Sequence, residues 1–267
     1  MSQQARAVES TQTGPHEDLL KVVNKHRVSV FKRPIAMHTQ AAFDEAIVWL
    51  SDWKGDVILD ACCGVGESTL NIAQEYPQAR VIGVDKSIAR LQKHAHYSHK
   101  LRADKLSSEE PSLQNIDAKS NCSGDSGVAN SALICNYLVL QADLNDFWRL
   151  LDNYLNHSAR TIQWRLCKQY ILYPNPYPKK AQLGKRWHGS AVFSNIIACC
   201  ANIELRSNWK LYLEEFVLAA KVFDIDMKIE GLSPSREQPP ITPFERKYAQ
   251  SNQLLWTATT LGTGCDR

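Results

Sequence analysis

The run D-V-I-L-D-A-C-C-G-V-G at residues 56–66 holds the first residues whose spacing suggests chemistry. Val57, Ile58 and Leu59 read as an apolar strand ending in an acid, Asp60. Ala61, Cys62, Gly64 and Gly66 follow, and a helix is expected over 67–76. A backbone can approach a bulky ligand closely only where side chains are small, so this loop is of the kind that cradles a cofactor. A second strand, Arg80 to Val84, closes on Asp85 about twenty residues beyond the loop, where an acid can accept ribose hydroxyls. The G-x-G-x-x-G fingerprint is not met, because Cys62 stands at its first glycine and Thr69 at its last. That argues against NAD and for a nucleoside ligand with no pyrophosphate.

A second chemical stretch is Y-P-N-P-Y-P-K-K at 173–180, entered from a strand expected over 168–173. Proline cannot continue a central strand, so the chain must turn out at Pro174, at the cleft edge where open α/β sheets bind ligands. A strand over 137–141 ends at Ala142-Asp143. That acid suits an adenine amino group or the N-cap of a helix over 144–155, and the two roles are compatible. Charge is uneven although the net is only +3. No acid lies between Asp18 and Asp44, where Lys21, Lys25, Arg27, Lys32 and Arg33 fall. None lies between Asp152 and Glu204, where Lys179, Lys180, Lys185 and Arg186 follow the cleft segment. Two such runs, one beside the cleft, point to a polyanionic partner rather than to solvated faces alone.

The elements that must position these residues alternate. Residues 1–38 read as a basic, flexible N-terminal arm carrying a short helix, and residues 39–267 as one domain. Thr39 is expected to cap a helix reaching Trp53. A helix over 87–100 follows Asp85, and His94, His96 and His99 on it read as exposed helix residues rather than metal ligands. Residues 103–130, rich in Ser, Asn, Asp and Gly, read as a surface insertion. Later come a helix over 190–200, a strand over 203–206, a helix over 209–222 and strands over 227–232 and 254–258, with a proline-rich loop over 233–243. Strands alternating with helices imply an α/β fold with a mostly parallel sheet covered on both faces. A chain of 267 residues, 44% hydrophobic and 22% charged, suits one large domain with extensions. It has no apolar run of membrane-spanning length and no signal-peptide core, so a cytoplasmic protein with no membrane association is expected. Cys62, Cys63, Cys135, Cys167, Cys199 and Cys200 read as packing residues, with no C-x-x-C spacing for zinc.

D-A-C-C-G-V-G followed by V-I-G-V-D resembles the first two motifs of S-adenosylmethionine-dependent methyltransferases. Y-P-N-P-Y-P-K-K (173–180), K-R-W-H-G (185–189), R-S-N-W-K-L-Y (206–212) and I-T-P-F-E-R (241–246), in that order, resemble the tRNA (guanine-N7)-methyltransferase family over roughly residues 55 to 260. The resemblance implies a Rossmann-like class I methyltransferase with a mostly parallel seven-stranded sheet, S-adenosyl-L-methionine as cofactor and tRNA as partner; such chemistry needs no metal, and a monomer is favoured over an oligomer. It implies cofactor contacts from Asp60, Cys62, Gly64, Gly66, Asp85, Asp143 and Asn175. Asn175 and Asn208 would sit at the catalytic position, with Lys179, Asn208, Thr242, Phe244 and Glu245 on the guanosine. The family's acid is Asn175 here, a second is Asn208, and its first loop glycine is Cys62.

Guanine N7 carries an unprotonated lone pair at neutral pH, so its methylation needs orientation rather than a general base. A carboxylate facing the N1–H and N2–H2 edge of the base could take two charge-assisted hydrogen bonds, whereas an Asn offers one acceptor and an opposing NH2. The two Asn departures therefore imply altered guanine recognition, offset by acids such as Glu245, or another target. Asn175-Pro176-Tyr177 also resembles, one proline short, the Asn-Pro-Pro-Tyr motif of amino-directed N-methyltransferases. A catalytically weak RNA-binding homologue is the third alternative.

Overall fold

The computed structural model describes residues 7–94, 136–158, 161–236 and 238–262. Seven strands form one sheet: β1 (Asp56–Ala61), β2 (Arg80–Asp85), β3 (Tyr137–Gln141), β4 (Arg165–Leu172), β5 (Ile203–Ser207), β6 (Met227–Leu232) and β7 (Leu255–Thr260). Their order is β3-β2-β1-β4-β5-β7-β6. β1 to β5 run parallel, and β7 lies antiparallel between β5 and β6. The period of two along β1 sends Val57 and Leu59 to one face and Ile58 to the other. Val57 and Leu59 join Leu140, Phe147, Trp148 and Phe193, whereas Ile58 joins Ile72, Val81 and Tyr170. Both faces are therefore apolar and covered, as buried parallel strands require. Strand order reverses between β1 and β4, and a crevice opens outside the strand ends at that point.

The helices are α1 (Leu19–Arg27), α2 (Met37–Trp49), α3 (Glu67–Glu75), α4 (Ile88–Leu91), α5 (Leu144–Asn156), α6 (Phe193–Cys199), α7 (Lys210–Lys221) and α8 (Pro243–Gln250). Tight 3-10 turns span Lys180–Lys185 and Trp187–Gly189. No helix among the described residues is long and apolar enough to cross a membrane.

Several expectations change. The segment read as a flexible arm is packed: Leu19 and Val23 of α1 are buried in the main core and Gln12 is buried on α7. Thr39 lies inside α2, whose N-cap is Ala36; its buried hydroxyl instead accepts the Asp143 N–H at 3.0 Å. The helix after Asp85 is seen only as α4; its continuation, with His96 and His99, and the 103–130 insertion lie outside the described residues. Between the proline-rich loop and the last strand lies a helix not expected from the sequence, α8, for which Thr242 is the N-cap and Pro243 the first residue. Cys167 is disulfide-bonded rather than a free thiol.

Candidate active site

A cleft of about 570 Å³ lies across the carboxyl ends of β1 to β4. Of the residues singled out in the sequence, Cys62, Asp85, Asp143, Asn175, Asn208 and Phe244 line it. Asp60, Gly64 and Gly66 are not in its wall, nor are Lys179, Thr242 and Glu245.

The loop after β1 runs through left-handed backbone at Cys62 (φ 65°), Gly64 (φ 63°) and Gly66 (φ 78°). Glycine takes this region freely, whereas a side chain there costs about 1–2 kcal/mol. Cys62 carries that strain, and a Cβ at Gly66 would stand 2.6 Å from the His94 ring. Asp85, at the tip of β2, locks the loop. Its Oδ2 accepts the Gly64 N–H at 3.0 Å and its Oδ1 accepts the Ser87 N–H at 2.7 Å. Arg90 Nη2 also lies 2.8 Å from Oδ1, so the acid expected to meet ribose hydroxyls already carries a partner. Asp60 is wholly buried; its Oδ2 accepts from the Ser68 and Thr69 hydroxyls at 2.6 and 2.7 Å, and its Oδ1 has no partner among the described residues. Burial pushes this carboxyl up to about 6, against the pull of the two hydroxyls. Burial, then the nearby Asp85 and Asp60 charges, push the Cys62 thiol up to about 12, so it is no nucleophile at neutral pH.

At the next strand end Asp143 caps α5, its Oδ1 accepting the Asn145 N–H at 2.9 Å. Arg33 Nη2 lies 3.1 Å from Oδ2. Burial opposes ionisation here, but the Asn145 hydrogen bonds and the Arg33 charge win and hold the carboxyl below its ordinary value. Both roles expected of this acid, cap and ligand acceptor, remain open to it.

The opposite wall comes from the segment after β4. Tyr173 (φ 49°) and Tyr177 (φ 45°) both take left-handed backbone around the two prolines, and Asn175 is exposed at the turn. Asn208 donates Nδ2–H to Gln253 Oε1 at 2.8 Å, which fixes its amide and leaves Oδ1 outside that bond. Lys185 is the lysine in the wall, its Nζ 5.9 Å from the Tyr177 ring centroid; Lys179 is exposed outside it. α8 contributes two aromatics, Phe244 stacked on Tyr248 with ring centroids 6.3 Å apart, and Tyr248 packs on Tyr173 at 5.6 Å.

Thr242 and Glu245 support this wall instead of lining it. Thr242 Oγ1 accepts the Glu245 N–H at 2.9 Å as the cap of α8. The buried Glu245 carboxylate takes two bonds from Arg206 Nη1, at 3.0 and 3.1 Å. Tyr248 and Arg90 were not anticipated as site residues. The i, i+4 spacing from Phe244 is the signal that finds Tyr248 once α8 is recognised.

The residues fit a nucleoside cofactor: an unpaired buried carboxylate oxygen behind a left-handed small-residue loop, and an acid at the tip of each of the next two strands. In sequence, residues 54–258 match the family described as "Putative methyltransferase", the family of tRNA (guanine-N7)-methyltransferases. No curated protein matches the chain in sequence. Among solved structures, the 16S rRNA methyltransferase KamB is similar with a TM-score of 0.47 and 16% identity, over 86% of this chain and 97% of that one. An antibiotic-related methyltransferase gives a TM-score of 0.47 at 13% identity, over 88% and 97%. A variant 16S rRNA (adenine-N1)-methyltransferase from Catenulisporales acidiphilia, with S-adenosylmethionine as cosubstrate, gives 0.43 at 13%, over 84% and 94%. With the sheet order, the cleft and a family match across most of its length, the chain belongs to the tRNA (guanine-N7)-methyltransferase family of class I, S-adenosylmethionine-dependent methyltransferases.

Proposed function

We propose that this methyltransferase modifies N7 of guanine in tRNA. One observation carries the reading: the wall opposite the glycine loop has no carboxylate or histidine among its described residues, its one charged side chain being Lys185 among amides, aromatics, prolines and small or aliphatic residues. An acceptor that had to lose a proton before attack would want a base there, whereas guanine N7 has its lone pair ready. When bound, S-adenosylmethionine supplies a methyl group on a positively charged sulfur. Cys62, Asp85, Asp143 and Asn175, which line the cleft, would hold it, with Asp85 on the ribose and Asp143 on the adenine edge, while Asp60, Gly64 and Gly66 would shape the loop beneath it. The work left to the chain is to orient the acceptor in line, an effect with a ceiling of about 7 to 11 kcal/mol. Phe244 and Tyr248 offer ring faces for the base, and the Asn208 oxygen and Asn175 amide offer in-plane partners. Lys185, with Lys179 and Lys180 on the rim, suits the phosphates of a polyanion.

A second reading has its own support. Glu245, the acid that would offset the two Asn departures, is engaged by Arg206, while Asn175 and Tyr177 both line the cleft. That arrangement suits an acceptor amino group, donated to the Asn175 oxygen and stacked on Tyr177. Incubation with labelled S-adenosylmethionine and unmodified tRNA, followed by digestion to nucleosides, decides between them. Labelled 7-methylguanosine is expected; label in an N-methylated amino group, or none in RNA, overturns the proposal. Asn175→Asp with Asn208→Asp should raise guanine methylation if the amides weaken recognition, and abolish activity if they serve another acceptor.

A further inference from the structure

Behind the acceptor wall lies a buried polar cluster that the chemistry above does not use. Arg186, His188 and Glu215 are each 0% exposed. Arg186 reaches outward to the cleft segment: its Nε donates to the Tyr177 carbonyl at 3.1 Å and its Nη2 to the Lys179 carbonyl at 3.4 Å. It reaches inward to Glu215 Oε2 through Nη1, and to Gln12 Oε1 at 3.0 Å. Glu215, on α7, also accepts from Gln12 Nε2 at 2.5 Å, the His16 N–H at 2.8 Å and His188 Nε2 at 2.9 Å. Close by, the Ser10 hydroxyl donates to the Pro178 carbonyl at 2.7 Å. Three successive carbonyls of the loop, at 177, 178 and 179, are thus gripped from behind, two by Arg186 and one by the N-terminal segment.

This grip has something to restrain. Tyr177 takes φ 45° without being glycine, a backbone state that persists only where its surroundings over-determine it. The flanking prolines, 174, 176 and 178, donate no N–H, so the loop cannot hold itself by a backbone ladder. The carbonyls at 177 to 179 are its anchors.

We propose that residues 10–16, through Gln12 and Ser10, complete with Arg186 and Glu215 a clasp that sets the position of the 175–179 loop, making them positioning residues for methyl transfer. The assignment of that loop to the acceptor rests on the function proposed above; the clasp does not. Gln12 is the residue to perturb. Removing Arg186 or Glu215 would strand a buried charge and unfold the chain, whereas Gln12→Met keeps the volume and loses only the hydrogen bonds. Hydrogen exchange on the full-length protein reads the result. Peptides spanning 173–186 should exchange about tenfold faster in Gln12→Met, with β1, β2 and β3 unchanged, and Ser10→Ala should act on the same peptides more weakly. Unchanged exchange over 173–186, or an equal rise throughout the sheet, overturns the clasp. On the tRNA substrate, kcat should fall about tenfold in Gln12→Met while the dissociation constant for S-adenosylmethionine rises by less than about threefold, since Asn175 alone of its proposed contacts lies on the loop. If the unsubstituted protein labels no tRNA, the proposed function fails and the exchange measurement still decides the clasp.

Discussion

Asp60→Asn should make the protein more stable at neutral pH, and the size of the effect follows from the environment of the carboxyl. Asp60 has no solvent exposure, and burial pushes its carboxyl from the ordinary 3.8 up to about 6. Below about pH 4 the group is protonated in both folded and unfolded chains and contributes nothing. Between about pH 4 and 6 the unfolded chain releases the proton while the folded one keeps it, so stability falls as pH rises. Above about pH 6 both are ionised and the loss levels off. At about 1.4 kcal/mol per pH unit across that window, the loss is about 3 kcal/mol. Asn carries no such penalty and keeps one oxygen to accept from Ser68 and Thr69. Urea unfolding of both proteins at about pH 4 to pH 8 isolates the term, because carboxylates far from Asp60 cancel in the difference. The variant should gain about 3 kcal/mol relative to the parent across the window, then run parallel to it. A difference that stays flat within about 0.5 kcal/mol, or opens in the opposite direction, refutes the reasoning.

Three further outcomes are expected. Glu245→Gln takes the carboxylate from a half-buried Arg206 that keeps Glu204, while burial already holds the Glu245 carboxyl above its ordinary value, so urea unfolding at neutral pH should change by no more than about 1 kcal/mol, a larger loss contradicting that balance. Cys62, which lines the cleft with its thiol pushed up to about 12, should react with iodoacetamide at pH 8 about a hundredfold more slowly than an unhindered cysteine, as peptide mass spectrometry would show; labelling at the free-thiol rate would contradict the raised thiol. Lys185→Ala should weaken tRNA binding and reduce the slope of log affinity against log salt by about one, measured by fluorescence anisotropy over a salt series; an unchanged slope would remove Lys185 from the phosphate contacts.

The cofactor half of the molecule was legible because its signals are local. The β1 pattern, the small-residue loop and the acid closing β2 lie within thirty residues of one another, and each falls where periodicity and loop chemistry place it. The acceptor half was less legible because its logic is long-range. Arg186 sits in an acid-free run and reads as a surface base, yet it is wholly buried on Glu215, and no one-dimensional charge pattern shows which way a side chain points. Gln12 looks like a tail residue and His16 like the start of a short exposed helix for the same reason, their partner being about two hundred positions away. Thr39 read as a cap from its type alone, whereas the backbone N–H it serves belongs to Asp143. α8 could have been found: Thr242, Pro243 and Glu245 form an N-cap, first-turn proline and first-turn acid, a combination overshadowed by the prolines before it.

The placement of β7 between β5 and β6 governs how the chain can mature. Among the described residues β6 has no strand neighbour other than β7, and β5 keeps an open edge until β7 arrives. During synthesis β6 therefore leaves the ribosome with nothing to pair with, and the nascent sheet presents an unpaired border until residues 255–260 emerge. A ribosome stalled before that point would display a partly built domain with a sticky flank, a natural client for chaperones and a seed for aggregation.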